Sequence, residues 1–365
     1  MKLPGRRRAT SSGRQGRLMP GLVRAVFGLA EALFWLILAM ANLWAVAALY
    51  IDLPGWNLVG AGLYVAIVLT AFFLTPGLRP GAMAGTVGFV VVLAWWLTLM
   101  PSDVRQWQTD VDRTAWAETG SSSGGSSNAG SGDIGNIVTI HNVRNFDYRS
   151  ETDYTPHWET RQYDLSKLQG IDLFLTYWGS PWIAHPILSF QFADAPPLAI
   201  SVETRKELGE SYSAIRGFFR QYELIYILAD ERDVIRLRTN YRKGEEVYLY
   251  HTTVTPETAR AVLSDYLRAV NALHQQPAFY NALTSNCTTN IRIHTAAATG
   301  QHPRWNWRLL LSGKVDEYVY QQGRLAGNLP FDELKRRAHI NYEARVADQS
   351  PDFSALIRAG RPGFP

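Results

Sequence analysis

AVFGLAEALFWLILAMANLWAVAALY at residues 25–50, LVGAGLYVAIVLTAFFLT at residues 58–75 and AMAGTVGFVVVLAWWLTLM at residues 82–100 decide how this chain is built. The first run is broken only by Glu31 and Asn42, and the other two carry no charge. A helix rises ~1.5 Å per residue, so each run reaches the roughly 18 to 20 residues needed to cross a hydrocarbon core. A buried hairpin in a soluble protein does not call for three such runs in close succession, and the first is too long for a cleaved signal peptide. Tyr50, Trp56, Trp95 and Trp96 lie near the span ends, where aromatic rings favour the interface. Residues 25–101 therefore read as a three-helix transmembrane anchor.

Charge sets its orientation. The net charge of +4 is concentrated at the start, where Lys2, Arg6, Arg7, Arg8, Arg14, Arg17 and Arg24 precede the first acidic residue, Glu31. A basic arm (residues 1–24) beside a span sets topology more often than it binds nucleic acid. The loop 52–56 has no Lys or Arg and the loop 77–81 has Arg79, as an inside loop should. The arm is then cytoplasmic, and after three crossings residues 102–365 lie outside. Glu31 has two readings: a functional intramembrane carboxylate, or a side chain snorkelling toward the cytoplasmic interface near Arg24.

Residues 119–135 are Gly/Ser-rich and read as a flexible loop. Beyond them, short runs of branched and aromatic residues predict strands over 137–144, 173–178, 187–192, 198–203, 223–229, 234–239 and 246–251, with Asp230 to Asp233 as a polar turn. A helix follows. Thr255 suits its N-cap and Pro256 its first turn, and Ala259, Val262, Leu263, Tyr266, Leu267, Val270 and Leu273 make one apolar stripe. A second helix starts near Asn286 and stops at Gly300. Strands first and helices later predict an α+β domain on a mostly antiparallel sheet.

Cys287 is the only cysteine, so no intramolecular disulfide is possible. With Ser285 or Asn286 as cap, its sulfur lies in the first helical turn, where unpaired N–H groups and the helix dipole favour a thiolate. Most free cysteines are instead small buried hydrophobes. A thiol nucleophile needs an imidazole in hydrogen-bond reach. His294 lies ~10 Å along the same helix and cannot serve. His274 lies near the end of the preceding helix, and His302 and His339 in polar loops. His185 opens a strand after a Gly-Ser-Pro turn, and Glu203 ends the next strand, where it could orient that imidazole or pair with Arg205 or Lys206. His141 is the alternative base.

Four segments carry a resemblance: 140–148 (IHNVRNFDY), 184–190 (AHPILSF), 200–205 (ISVETR) and 285–290 (SNCTTN). They resemble the Lnb N-terminal periplasmic domain family of bacterial envelope proteins, and more broadly the circularly permuted papain-like (NlpC/P60-type) fold. The resemblance implies a Cys–His thiol enzyme facing the periplasm from the inner membrane, with Lnb itself a lipoprotein N-acyltransferase. Carried onto this chain, Cys287 is the nucleophile and His185 the base, while Glu203 as orienter rests on geometry. The three amino-terminal spans are a departure, so the substrate need not carry over with the fold. The expected activity is acyl transfer or amide hydrolysis on membrane lipids, lipoproteins or cell-wall peptides; the alternatives are a peptidoglycan peptidase or amidase, or a non-catalytic envelope binding module. The expected groove opens toward the membrane, with Tyr177, Trp178 and Trp182 lining an acyl channel or forming plain core. Scattered histidines without paired cysteines support no metal site, and no Gly-rich phosphate loop or other cofactor motif occurs.

Overall fold

The computed structural model describes residues 18–74, 78–119, 136–300 and 312–364. The arm up to residue 17, the Gly/Ser stretch from 120 to 135 and His302 lie outside the described residues. The chain forms two compact units, Met1–Met100 and Pro101–Pro365.

The first unit holds α1 (Leu18–Asp52), α2 (Asn57–Leu74) and α3 (Leu78–Thr98), each long and apolar enough to cross a membrane. Helix α1 begins before the expected boundary, taking in residues 18–24 of the basic arm, because Pro20 falls in the first turn, where its missing N–H has no helical partner to lose. Phe27, Leu29, Leu43 and Phe73 are left exposed, as suits side chains in lipid. The one polar break besides Glu31 is used between helices: the Tyr64 hydroxyl donates to Asn42 Oδ1 at 2.6 Å, and Asn42 Nδ2 donates to the Leu38 carbonyl. Gly88 makes room for that pair, since a Cβ there would stand 3.0 Å from the Tyr64 ring. Small residues that let a polar pair close are how helices associate where no hydrophobic drive separates them from lipid.

The second unit is built on one sheet. Its strands are β1 (Trp116–Thr119), β2 (Ile137–Arg144), β5 (Trp158–Asp164), β6 (Leu168–Trp178), β7 (Ala184–Phe192), β8 (Leu198–Arg205), β9 (Glu223–Ala229) and β10 (Glu245–His251). Asp147–Tyr148 and Tyr154–Thr155 form a separate small ladder, β3 and β4. The order is β1-β2-β9-β8-β7-β6-β10, with β5 also on β2, and only the β2–β9 contact is parallel. Both faces are covered. Leu175, Phe190, Ile200 and Tyr226 pack under α5 (Pro256–Gln275) through Val262, Leu263 and Tyr266. Phe174, Ile187, Ala199 and Ile227 pack against α4 (Glu231–Arg236) and the carboxy-terminal Ile340 and Phe353. Burial on both sides explains why the central strands read as continuous apolar runs rather than as alternating ones.

Three expectations need correction. Residues 234–239 are not a strand: Asp230 caps α4 by accepting from the Arg232 N–H at 2.9 Å, and the chain continues as a π-helical turn, Leu237–Tyr241. The supposed polar turn 230–233 is thus a helix start. Thr119 is not loop but the end of β1, paired with Val138. Strands β1 and β5 were not anticipated, β5 because its WETRQYD sequence is polar at alternate positions and beyond.

Candidate active site

The site forms where β7 begins and β8 ends. Their register pairs Leu188 with Ile200 and Ser189 with Ala199. Continued three residues toward the start of β7, it sets His185 opposite Glu203, on the sheet face of Ile187 and Ala199. Ser201 precedes Glu203 by two and so shares this face.

The three side chains form a relay. His185 Nε2 lies 2.7 Å from Ser201 Oγ and 3.2 Å from Glu203 Oε1. Ser201 donates to Glu203 Oε1 at 2.6 Å. A serine has one proton to give, and it goes to a carboxylate that can only accept, so Ser201 Oγ accepts from His185 Nε2–H. That fixes the neutral tautomer with its lone pair on Nδ1, the nitrogen left for Cys287. Glu203 is held by Arg238, whose Nη2 donates at 2.7 Å and whose Nη1 meets Glu245 Oε2 at 3.3 Å. Buried Arg238 comes from the π-helical turn, which aims it back under the strand end.

Cys287 opens α6 (Cys287–Thr299). Asn286 is the cap, its Oδ1 accepting from the Thr289 N–H at 2.8 Å, and Gly300 ends the helix at φ 64°. The thiol is half-buried and lines the same cleft as His185, close enough for its charge to favour the protonated ring. Tyr280 and Tyr212 line the cleft with it, and burial first, then the Cys287 charge, pushes the Tyr280 phenol up. These phenols keep their protons and remain donors next to the sulfur. Cys287, His185, Glu203, Arg238 and both tyrosines line one open cleft of about 790 Å³.

The structure thus brings together Cys287, His185 and Glu203. It puts the other histidines elsewhere: His141 stacks on Trp116 at 3.9 Å, His274 meets Thr114, His294 is held between Asp265 and Tyr226, and His339 pairs with Glu246. Of the aromatic residues before His185, Trp178 lines the cleft, whereas Tyr177 is core, its hydroxyl donating to Asp316 Oδ2 at 2.9 Å. Ser201, Arg238, Tyr212 and Tyr280 were not singled out from sequence. Only Ser201 had a signal there, its strand parity with Glu203.

Burial alone would lower the His185 pKa, but the Glu203 carboxylate and the Cys287 thiol outweigh burial and the opposing Arg238, and hold it at about 9. His185 is therefore an imidazolium at neutral pH. Its ordinary value is 6.5, so its stabilising contribution is complete below that pH and is lost as pH rises through about 9. Glu203→Gln removes the anion, and the His185 pKa is expected to fall; ring-nitrogen NMR of the full-length protein measures it. An unchanged value would show that Glu203 does not hold the proton.

Fold and cleft together define a membrane-anchored domain organised around a single accessible thiol. Residues 154–313, within the second unit, match the family described as the Lnb N-terminal periplasmic domain. The match includes His185, Glu203 and Cys287. With the three apolar helices, it makes the chain an inner-membrane protein whose second unit lies in the periplasm. No curated protein and no solved structure matches the chain significantly.

Proposed function

We propose that this protein is a membrane-anchored periplasmic thiol enzyme that performs acyl transfer or amide hydrolysis, lipoprotein N-acyltransferase-like in its chemistry. The observation that carries this reading is the convergence of Cys287, His185 and Glu203 on one open cleft from elements far apart in the chain. Their order, imidazole and carboxylate on adjacent strands and then a thiol opening a helix, also suits a permuted papain-like arrangement.

In this mechanism the thiol proton already rests on His185, so that Cys287 and His185 stand as a thiolate–imidazolium pair before substrate arrives. The sulfur attacks the substrate carbonyl, and the N–H groups at the start of α6, with the phenols of Tyr212 and Tyr280, offer hydrogen bonds to the oxyanion. Collapse breaks the bond to the leaving group, which takes the proton from His185, and leaves a thioester on Cys287. An amine or water then attacks the thioester, gives its proton to His185, and restores the thiolate–imidazolium pair. Ser201 and Glu203 hold the ring in the tautomer this cycle needs.

The test uses the full-length protein in phospholipid vesicles with a labelled diacylated lipopeptide and a free amine. A hydroxylamine-labile acyl mass on Cys287, followed by transfer to the amine, is the expected result. Cleavage of muropeptides without acyl transfer would move the reading to a cell-wall amidase. No covalent species with either substrate would make the domain a binding module and overturn the proposal.

A further inference from the structure

Large exposed apolar side chains stand at the cleft mouth. Ile183 and Phe218 line the cleft and are themselves exposed. Trp182 precedes Ile183, and Leu283, exposed, follows Ala282, whose N–H donates to the Gly217 carbonyl, next in sequence to Phe218, at 2.7 Å. Leu208 and Ile215, 62% and 68% exposed, stand on the same loop between β8 and β9. Tyr212, half-exposed on the same loop, also lines the cleft, whereas Ile137 and Tyr342 belong to other elements.

This loop is not a loose segment that failed to fold inward. The Tyr222 hydroxyl accepts from the Ser213 N–H and donates to the Ser211 carbonyl, and a Cβ on Gly217 would stand 3.2 Å from the Tyr280 ring. Its backbone is fixed from the inside while its apolar side chains point out. Contiguous exposed apolar patches on soluble domains mark interaction surfaces.

The chain itself says what covers this one. Span α3 ends at Thr98, and Asp103, five residues later, is already paired with Arg205 at the end of β8. Arg105 then meets Glu207 at 2.6 Å, the Gln108 N–H donates to the Lys206 carbonyl, and the Leu208 N–H donates to the Gln106 carbonyl. The root of the loop is therefore laced to the strand of chain that leaves the membrane, and five residues reach at most ~18 Å. Val104, 93% exposed, lies in that same segment. Arg216, exposed between Ile215 and Phe218, suits the phospholipid headgroup zone.

We propose that this rim, Trp182, Ile183, Leu208, Ile215, Phe218 and Leu283, inserts into the periplasmic leaflet of the membrane that holds the three spans, so that the cleft opens into lipid. The partner is the bilayer surface, and the inference stands apart from the thiol chemistry. A cleft seated in this way takes its substrate from the leaflet without carrying an acyl chain through water.

The test labels full-length protein in a Cys287→Ser background with an environment-sensitive fluorophore at Ile215→Cys, and separately at Leu208→Cys, in phosphatidylethanolamine/phosphatidylglycerol nanodiscs. Tyr342→Cys, on an exposed carboxy-terminal helix, is the reference. Nitroxide-bearing acyl chains should quench the two rim positions several-fold more than the reference, and aqueous iodide several-fold less. Equal iodide quenching at rim and reference overturns the proposal, as does equal lipid quenching at all three. Rim labels shielded from both quenchers would mean a protein partner, and would also overturn it. Since no turnover is read, failure here is distinct from failure of the enzymatic reading.

Discussion

Cys287→Ala and His185→Ala should each lower acyl transfer by on the order of 10⁴-fold, and the double variant should fall little further. The reason is that the two side chains act as one unit. Without His185, Cys287 loses the cation that faces it and the acid that protonates the leaving group; without Cys287, the imidazolium has nothing to serve. Non-additivity is the signature of such a pair, whereas two independent binding residues would multiply their losses. Ser201→Ala should cost less than either, because Glu203 still lies 3.2 Å from His185 Nε2 and can take over part of the orienting role. Steady-state transfer of a labelled acyl chain by full-length protein in vesicles measures all four variants. Losses that multiply, or a Cys287→Ala variant that retains transfer, would end the proposed mechanism. The pH profile adds a check of sign: with His185 near 9, acylation should decline as pH rises through that value, because the imidazolium acid is lost there.

Much of this site could be read from sequence because its parts obey local rules. The cap at Asn286 put the sulfur in a first helical turn before any contact was known, and Gly300, at positive φ, closed that helix as its residue type suggested. The parity of His185 and Glu203 on neighbouring strands was similarly accessible, since an antiparallel register sets which residues can meet. The spans were the plainest signal, as no soluble element needs that many uncharged residues in a row. Arg238, Tyr212 and Tyr280 followed no such rule. Arg238 arrives from a π-helical turn inside a segment whose Val234, Ile235 and Leu237 fit a short strand as well as a short helix; Asp230, read as a turn residue, was the cap that decides between them. Tyr212 comes from irregular backbone before β9 and Tyr280 from irregular backbone between α5 and α6, placed by packing rather than by periodicity. Positions set by tertiary contacts leave no trace in spacing, and the positioning half of this site is made of them.

The largest structural effect is expected at Asp233, a residue outside the cleft. Arg144, at the end of β2, donates to Asp233 through Nε at 3.0 Å and Nη2 at 2.7 Å, and both side chains are buried. The same carboxylate accepts from the Phe146 N–H at 2.7 Å, and Arg144 Nη1 reaches the Asp110 carbonyl at 2.9 Å. One ion pair thus joins the start of α4, the strand β2, the turn after it and the segment that leads in from the membrane. Asp233→Ala would leave a guanidinium buried without its anion, which costs about 3–5 kcal/mol, against about 0–1 kcal/mol for an exposed pair. In a unit of this size that corresponds to a melting shift on the order of 10 °C. The transition of the periplasmic unit, followed by near-UV circular dichroism on full-length protein in detergent, reads it out. Removing both charges with apolar replacements of similar volume, Arg144→Met with Asp233→Leu, should restore much of the loss, because the cost lies in the stranded charge rather than in the missing bond. A shift under a couple of degrees in Asp233→Ala would mean that water reaches Arg144 and that the pair does not organise this corner. If the loss is large and the double variant recovers, β2 and α4 are held in place by a charge balance, and Arg238, two residues beyond α4, depends on that balance to reach Glu203.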